Sequence, residues 1–230
     1  MTLEDLHSIV NLADYYIALS AVAATIETMV VNILIDQCSP PTPEEFPTIL
    51  AISVKIRAKN LYKDSFTHVV GYMSCIDDYW DQYVSKHLKS IKPMILDMIM
   101  SEYLRISAIK SRLDRNIIMA LSVSANPSKP WLLDKINIEG FTSYLSSTLF
   151  DFGIILKNVH GERAFYASLK GPCINLQSCA YFDAYSYSLE RDIESILRDN
   201  RRFRSLANPK CLTNADPGNK YPWKENEDEW

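Results

Sequence analysis

Few side chains in this sequence are typed and spaced for chemistry. Cys173 and Cys179 have five residues between them, and the nearest histidine is His160. Zinc needs four converging ligands, usually supplied as close pairs. No second pair follows, so both read as structural thiols and no metal is expected. The four histidines, His7, His68, His87 and His160, lie far apart. His68 falls inside a helical pattern, one position before Val69, and reads as an ordinary helix residue and not as a base. No Ser or Cys occupies a nucleophile turn, and no HExxH, Walker or dinucleotide fingerprint occurs. The carboxylate pairs Asp77–Asp78 and Glu44–Glu45 fall at caps or in polar stretches, where nothing tunes their acidity. The expectation is a non-enzymatic chain with no catalytic residue and no cofactor.

Two other groups of residues could bind something. Arg198, Arg201, Arg202 and Arg204 close a helical pattern, and Lys55, Arg57, Lys59 and Lys63 cluster after a stretch with no Lys or Arg. Segments 55–63 and 198–204 could contact phosphate, which makes a nucleic-acid or chromatin-associated protein the alternative reading. Helix-end positions account for the same charges, since cations suit the negative pole of the helix dipole. The C-terminal stretch is more distinctive. Trp223 and Trp230 flank Glu225, Glu227, Asp228 and Glu229. Two aromatics on an acidic, extended strand form a peptide able to dock in a groove, in cis or in trans. They are the candidate partner-binding residues.

Composition narrows the classes further. Six glycines against eleven prolines weigh against a phosphate-cradling loop and against a turn-rich β fold. The net charge of −4 and pI near 5.6 disfavour nonspecific nucleic-acid binding. Five scattered cysteines and an acidic N-terminus (Glu4, Asp5) without a basic n-region point to reduced thiols in the cytoplasm or nucleus. Ile17–Ile35 is apolar enough to suggest a membrane span, but Glu27 sits near its centre. A central acid costs roughly 2.5–3.5 kcal/mol on insertion, so no membrane span is expected.

The elements that must carry these residues are helical. Leu3–Ile35 reads as two helices broken near Leu19–Ser20, with Ser20 as a cap. Ile9, Leu12, Ala13 and Tyr16 form the stripe of the first, and Val22, Ile26, Met29, Val30 and Ile33 that of the second. Each stripe needs cover, from the helices between Thr42 and Met73 or from a second chain. Thr42-Pro43-Glu44-Glu45 matches a helix start, with the helix running to about Ala58 and Asn60 closing it. A helix with Tyr62, Phe66, Val69, Val70 and Met73 inward follows. A long helix begins at Ser90, with Ile91, Met94, Ile95, Met98, Ile99, Ile106, Leu113, Ile117 and Leu121 as its stripe. Ser124–Pro130 reads as a linker. Beyond it, Phe141–Phe152, Glu162–Leu169 and Leu189–Leu197 suggest weaker helices, and from Asn208 the chain reads as a tail. The expected architecture is all-α: a bundle of stacked helix pairs over 1–123, a looser helical region over 131–207, and an extended acidic-aromatic tail over 208–230.

Leu12-Ala-Asp-Tyr-Tyr16 followed by Ala18-Leu19-Ser20-Ala21-Val22 resembles the closing helix pair of a BTB/POZ domain, most of all in filamentous fungi. There a "LADYY-ALPAV"-like string opens that pair, with Pro where this chain has Ser20. Leu50–Arg57 and Leu61–Phe66 are similar to the BACK-like helical region after such domains. Pro222-Trp223…Trp230 resembles the "PW…DW" ending of the same group. The likeness covers residues 3–122 and the tail. A BTB domain carries its β-sheet upstream of this pair, so the resemblance implies a truncated BTB-type adaptor-like chain. Family roles in homodimerisation and cullin recruitment have no matching residues here. The expected function is protein–protein interaction with a protein partner, with possible self-association.

Overall fold

The computed structural model describes residues 2–35, 41–76, 78–88, 93–124 (backbone only from 117), 163, 166–167, 191–201 and 212–223. Of the described residues 79% are helical, and no strand occurs among them, so the protein is all-α. Helix α1 spans Leu3–Tyr15, α2 Leu19–Ile35, α3 Phe46–Lys55, α4 Lys59–Cys75, α5 Ser85–Leu88 and α6 Pro93–Ser124. A 3₁₀ turn, Pro43–Glu45, leads into α3, and a π turn, Trp80–Val84, leads into α5.

Local chemistry sets the helix ends. The Thr2 hydroxyl accepts the Asp5 N–H at 3.1 Å, and the Asp5 carboxylate accepts the Thr2 N–H at 2.8 Å. This reciprocal capping box satisfies donors that the first turn leaves orphaned. At Thr42 the Glu45 carboxylate likewise accepts the backbone N–H at 2.7 Å. Helix α1 ends in a Schellman closure, with Ala18 N–H on the Ala13 carbonyl at 2.7 Å and Ile17 N–H on Asp14 at 3.1 Å. The same pair of bonds closes α3, from Ala58 to Ser53 at 3.0 Å and from Arg57 to Val54 at 3.3 Å. Each motif needs one left-handed residue, and these are Ile17 (φ 56°) and Arg57 (φ 54°). The expected break at Leu19–Ser20 therefore lies earlier, at Tyr16–Ala18, and Ser20 falls in the first turn of α2. Likewise Arg57, not Asn60, closes α3, and Asn60 lies inside α4. A sequence reading reserves such positions for Gly or Asn, so both stops are shifted.

Chain contacts divide the molecule into two compact units. The first comprises Met1–Leu104, Asp199–Asn208 and Ala215–Trp230, and the second Arg105–Arg198 and Pro209–Asn214. In the first unit the core is the α3–α4 hairpin. Every residue from Phe46 to Val54 is buried, as are Leu61, Tyr62 and Asp64 through Tyr72. Helix α3 packs on α4, α1, α2 and α5, which is why it carries no polar face. Lys55 binds Asn11 at 2.8 Å and Asp14 at 3.0 Å, tying the end of α3 to α1. Tyr79 donates to the Pro43 carbonyl at 2.6 Å and Tyr83 to Glu44 at 3.1 Å, which seats the π turn.

The downstream helices thus cover the opening pair in cis, but with a rotated stripe. Helix α1 buries Leu3, Leu6, Val10 and Ala13; of the expected set only Ala13 points inward, while Ile9, Leu12 and Tyr16 are exposed. Both sets have helical spacing, and packing on α3 chooses between them. Helix α2 buries Leu19, Ile26, Val30 and Leu34, leaving Met29 at the surface.

In the second unit Ile106 and Leu113 of α6 are buried, as are Ile193 and Ile196 in a helix over residues 191–197. Arg112 grips the buried Asp192 with two hydrogen bonds of 2.7 and 2.6 Å. Tyr166 donates to Asp114 at 3.0 Å and Arg163 to Thr213 at 2.7 Å. Most of the linker Ser124–Pro130 and the helix expected over Phe141–Phe152 lie outside the described residues.

Candidate functional site

Three features of the first unit could carry function: an exposed apolar corner, a buried polar cluster on α4, and the seat of the C-terminal segment. The corner follows from the Schellman closure of α1. Helix α1 turns one apolar stripe onto α3, and the chain then reverses through Tyr16, Ile17 and Ala18. Leu12, Tyr15, Tyr16 and Ile17 are left outward at 58%, 79%, 68% and 85% exposure. Tyr15 and Tyr16 meet edge to face at 5.0 Å. A β-branched residue in the left-handed region pays no dividend in packing here, and that conformation costs roughly 1–2 kcal/mol.

The polar cluster lies under α3. Burial of all faces of α4 forces Asp64 and His68 inside, both almost wholly excluded from solvent. The His68 ring stacks on Phe46 at 4.1 Å and 21°, with Tyr72 at 6.1 Å. Nε2 stands 3.7 Å from Asp64 Oδ2, too far for a hydrogen bond. The pKa of His68 is pushed down to about 3, first by burial and then by the positive charge of Arg201, against the opposing charge of Asp199. Burial wins because the ring keeps almost no hydration, and the charge of Asp64 also acts on Arg201. Arg201 in turn holds Asp199 with bonds of 2.9 and 2.8 Å. The imidazole is neutral at ordinary pH and walled in by aromatic rings, an arrangement suited to fixing α4 and residues 199–201 and not to transferring protons.

The C-terminal segment runs beside the same helix. Thr67 donates to the Ala215 carbonyl at 2.9 Å, and the Asp216 N–H donates to Glu102 at 3.1 Å. A turn at Pro217–Lys220 uses Gly218 at φ 63°. Tyr221 and Trp223 then stack at 5.2 Å and reach the buried Tyr62 at 6.1 and 5.5 Å.

Of the expected partner-binding residues, Trp223 is therefore half-buried against Tyr62, and Trp230 lies outside the described residues. Cys173, Cys179, His160, Arg202 and Arg204 also lie outside them. His87 approaches Thr48 at 3.4 Å, and burial lowers the pKa of His7 and of His87. Among the described residues no group of three or more His, Cys, Asp or Glu could hold a metal ion. None of the described helices is long and apolar enough to cross a membrane. The buried pair Asp64–His68 was missed from sequence; its four-residue spacing on one helix face was the only available signal. Compared with known proteins, the chain matches no family model, no curated protein and no solved structure.

Proposed function

We propose that this protein is a non-enzymatic protein–protein interaction module that docks a partner through the corner Leu12–Tyr15–Tyr16–Ile17. The observation that carries the reading is the corner itself. Four large apolar side chains in six residues stand in water, one of them on a left-handed backbone that disfavours it. Aromatic residues on a rigid support are the usual anchors of protein interfaces, and exposed apolar clusters of this kind mark interaction sites. The resemblance of Leu12–Val22 to the helix pair of BTB-type adaptors supports the same reading. The nucleic-acid alternative is weaker, because Lys55 and Arg201 already spend their charge on Asp14 and Asp199. An intracellular setting fits the cysteine pattern.

The test is affinity purification with mass spectrometry from native cells, comparing the wild-type chain with Leu12→Ser/Tyr16→Ser. Both substituted side chains are exposed, so circular dichroism should be unchanged. The expected result is loss of a defined subset of partners from the variant, together with less self-association in light scattering. Identical partner sets from the two baits would overturn the reading.

A further inference from the structure

The segment Tyr221–Trp223 is seated on α4 in a way that packing alone does not require. Lys59 and Lys63, one turn apart, bring their ammonium groups to 5.3 and 5.6 Å from the centroid of the same Tyr221 ring. Two cations on one electron-rich ring form a specific recognition contact. Between them on the helix, Tyr62 is fully buried; its hydroxyl approaches the Met98 sulfur at 3.9 Å, and its ring meets Tyr221 and Trp223. The occupant has no helix or strand of its own. Hydrogen bonds of Ala215 to Thr67 and of Asp216 to Glu102 fasten its leading end to the helices. In sequence, Trp223 is followed within six residues by Glu225, Glu227, Asp228 and Glu229, charges opposite in sign to Lys59 and Lys63.

We infer that Lys59, Tyr62 and Lys63 form a recognition site for a partner protein's Tyr-Pro-Trp-like peptide followed by carboxylates, held closed in cis by residues 221–223. The segment acts as a clasp: it fills the site until a partner peptide of the same chemistry displaces it. A tethered occupant has an effective concentration in the millimolar range, so only a peptide at high local concentration, or one with further contacts, opens the clasp. This site is separate from the Leu12–Ile17 corner and does not depend on it.

The probe is a fluorescein-labelled peptide of residues 220–230, titrated by anisotropy into the full-length chain and into full-length Tyr221→Ala/Trp223→Ala. A clasp closed about nine-tenths of the time weakens apparent affinity roughly tenfold. The open variant should therefore bind at least about tenfold more tightly than wild type. Adding Lys59→Glu/Lys63→Glu to the open variant should weaken binding roughly five- to thirtyfold, and Lys59→Arg/Lys63→Arg should retain it. Equal binding by wild type and a folded open variant, or indifference to charge reversal, overturns the inference. A second measurement needs no variant of the seat. In wild-type chain labelled with 5-fluorotryptophan, the Trp223 ¹⁹F resonance, assigned with Trp223→Phe, should move to its free-chain position when unlabelled peptide is added in excess. A resonance that stays fixed overturns the inference even if the open variant fails to fold. Concentration-dependent dimerisation of wild type that the Tyr221→Ala/Trp223→Ala change abolishes would also overturn it, in favour of exchange between copies of the chain.

Discussion

Lowering the pH should destabilise this protein through one histidine. In the unfolded chain His68 titrates near 6.5, and in the folded protein near 3. Between those values the unfolded chain binds a proton that the folded chain refuses. Stability therefore falls as pH falls from 6.5 toward 3, by up to about 1.4 kcal/mol per pH unit for a single proton. At pH 5 the loss from this residue is about 2 kcal/mol, a large share of the 5–15 kcal/mol typical of a domain. The groups around the ring set the sign. Burial between Phe46 and Tyr72 and the charge of Arg201 oppose protonation, whereas Asp199 favours it and Asp64 stands nearby at 3.7 Å. Urea denaturation of wild type and His68→Gln at about pH 7.5 and pH 5 isolates the effect, because His7, His87 and the carboxylates titrate in both proteins. His68→Gln should be the less stable at neutral pH, having lost the stack on Phe46. The gap should narrow by about 2 kcal/mol at pH 5, since only wild type carries the titrating group. A gap unchanged between the two pH values would refute the reasoning and would mean that His68 titrates alike in the folded and unfolded chain, and a gap that widens at pH 5 would mean that it stays charged in the fold.

Two further outcomes are expected. Ile17→Gly should raise stability by about 1 kcal/mol in thermal or urea unfolding, because Gly occupies the left-handed C′ position without Cβ strain and the Ile17 side chain is exposed. The same change should weaken partner recovery, separating strain kept for binding from strain that is merely tolerated. Arg112→Ala should cost about 2 kcal/mol, below the 3–5 kcal/mol of a fully buried pair, because Arg112 is partly solvated and the buried Asp192 keeps the exposed Arg191 at 3.8 Å. Urea midpoints of Arg112→Ala and Arg112→Ala/Asp192→Asn check it, and the second change should recover part of the loss.

Local and periodic features were legible in the residues. Recurrence at helical spacing determined that the protein is all-α. The string Thr42-Pro-Glu-Glu45 determined a helix start, since a cap is built from side chains three residues apart. Apolar residues at 95, 99, 106 and 113 determined the inward face of α6, because one helix repeats its own pattern whatever it packs on. Trp223 stood out by composition. Tertiary structure decided everything that depends on a choice between equivalent local solutions. Helix α1 carries two apolar stripes, and only the surface of α3 settles that Val10 goes in and Leu12 stays out. Ile17 and Arg57 take left-handed positions that their side chains disfavour, because the next helix must reverse there and tertiary contacts outweigh a local cost of 1–2 kcal/mol. The neutrality of His68 arises from Phe46, Tyr72 and Arg201, which lie up to 133 positions away in sequence and meet it only when the chain has folded. The seat of Tyr221 between Lys59 and Lys63 is of the same kind: each residue type was visible along the chain, but a contact across more than 150 positions has no periodic trace, since it is set by packing and not by the helix repeat.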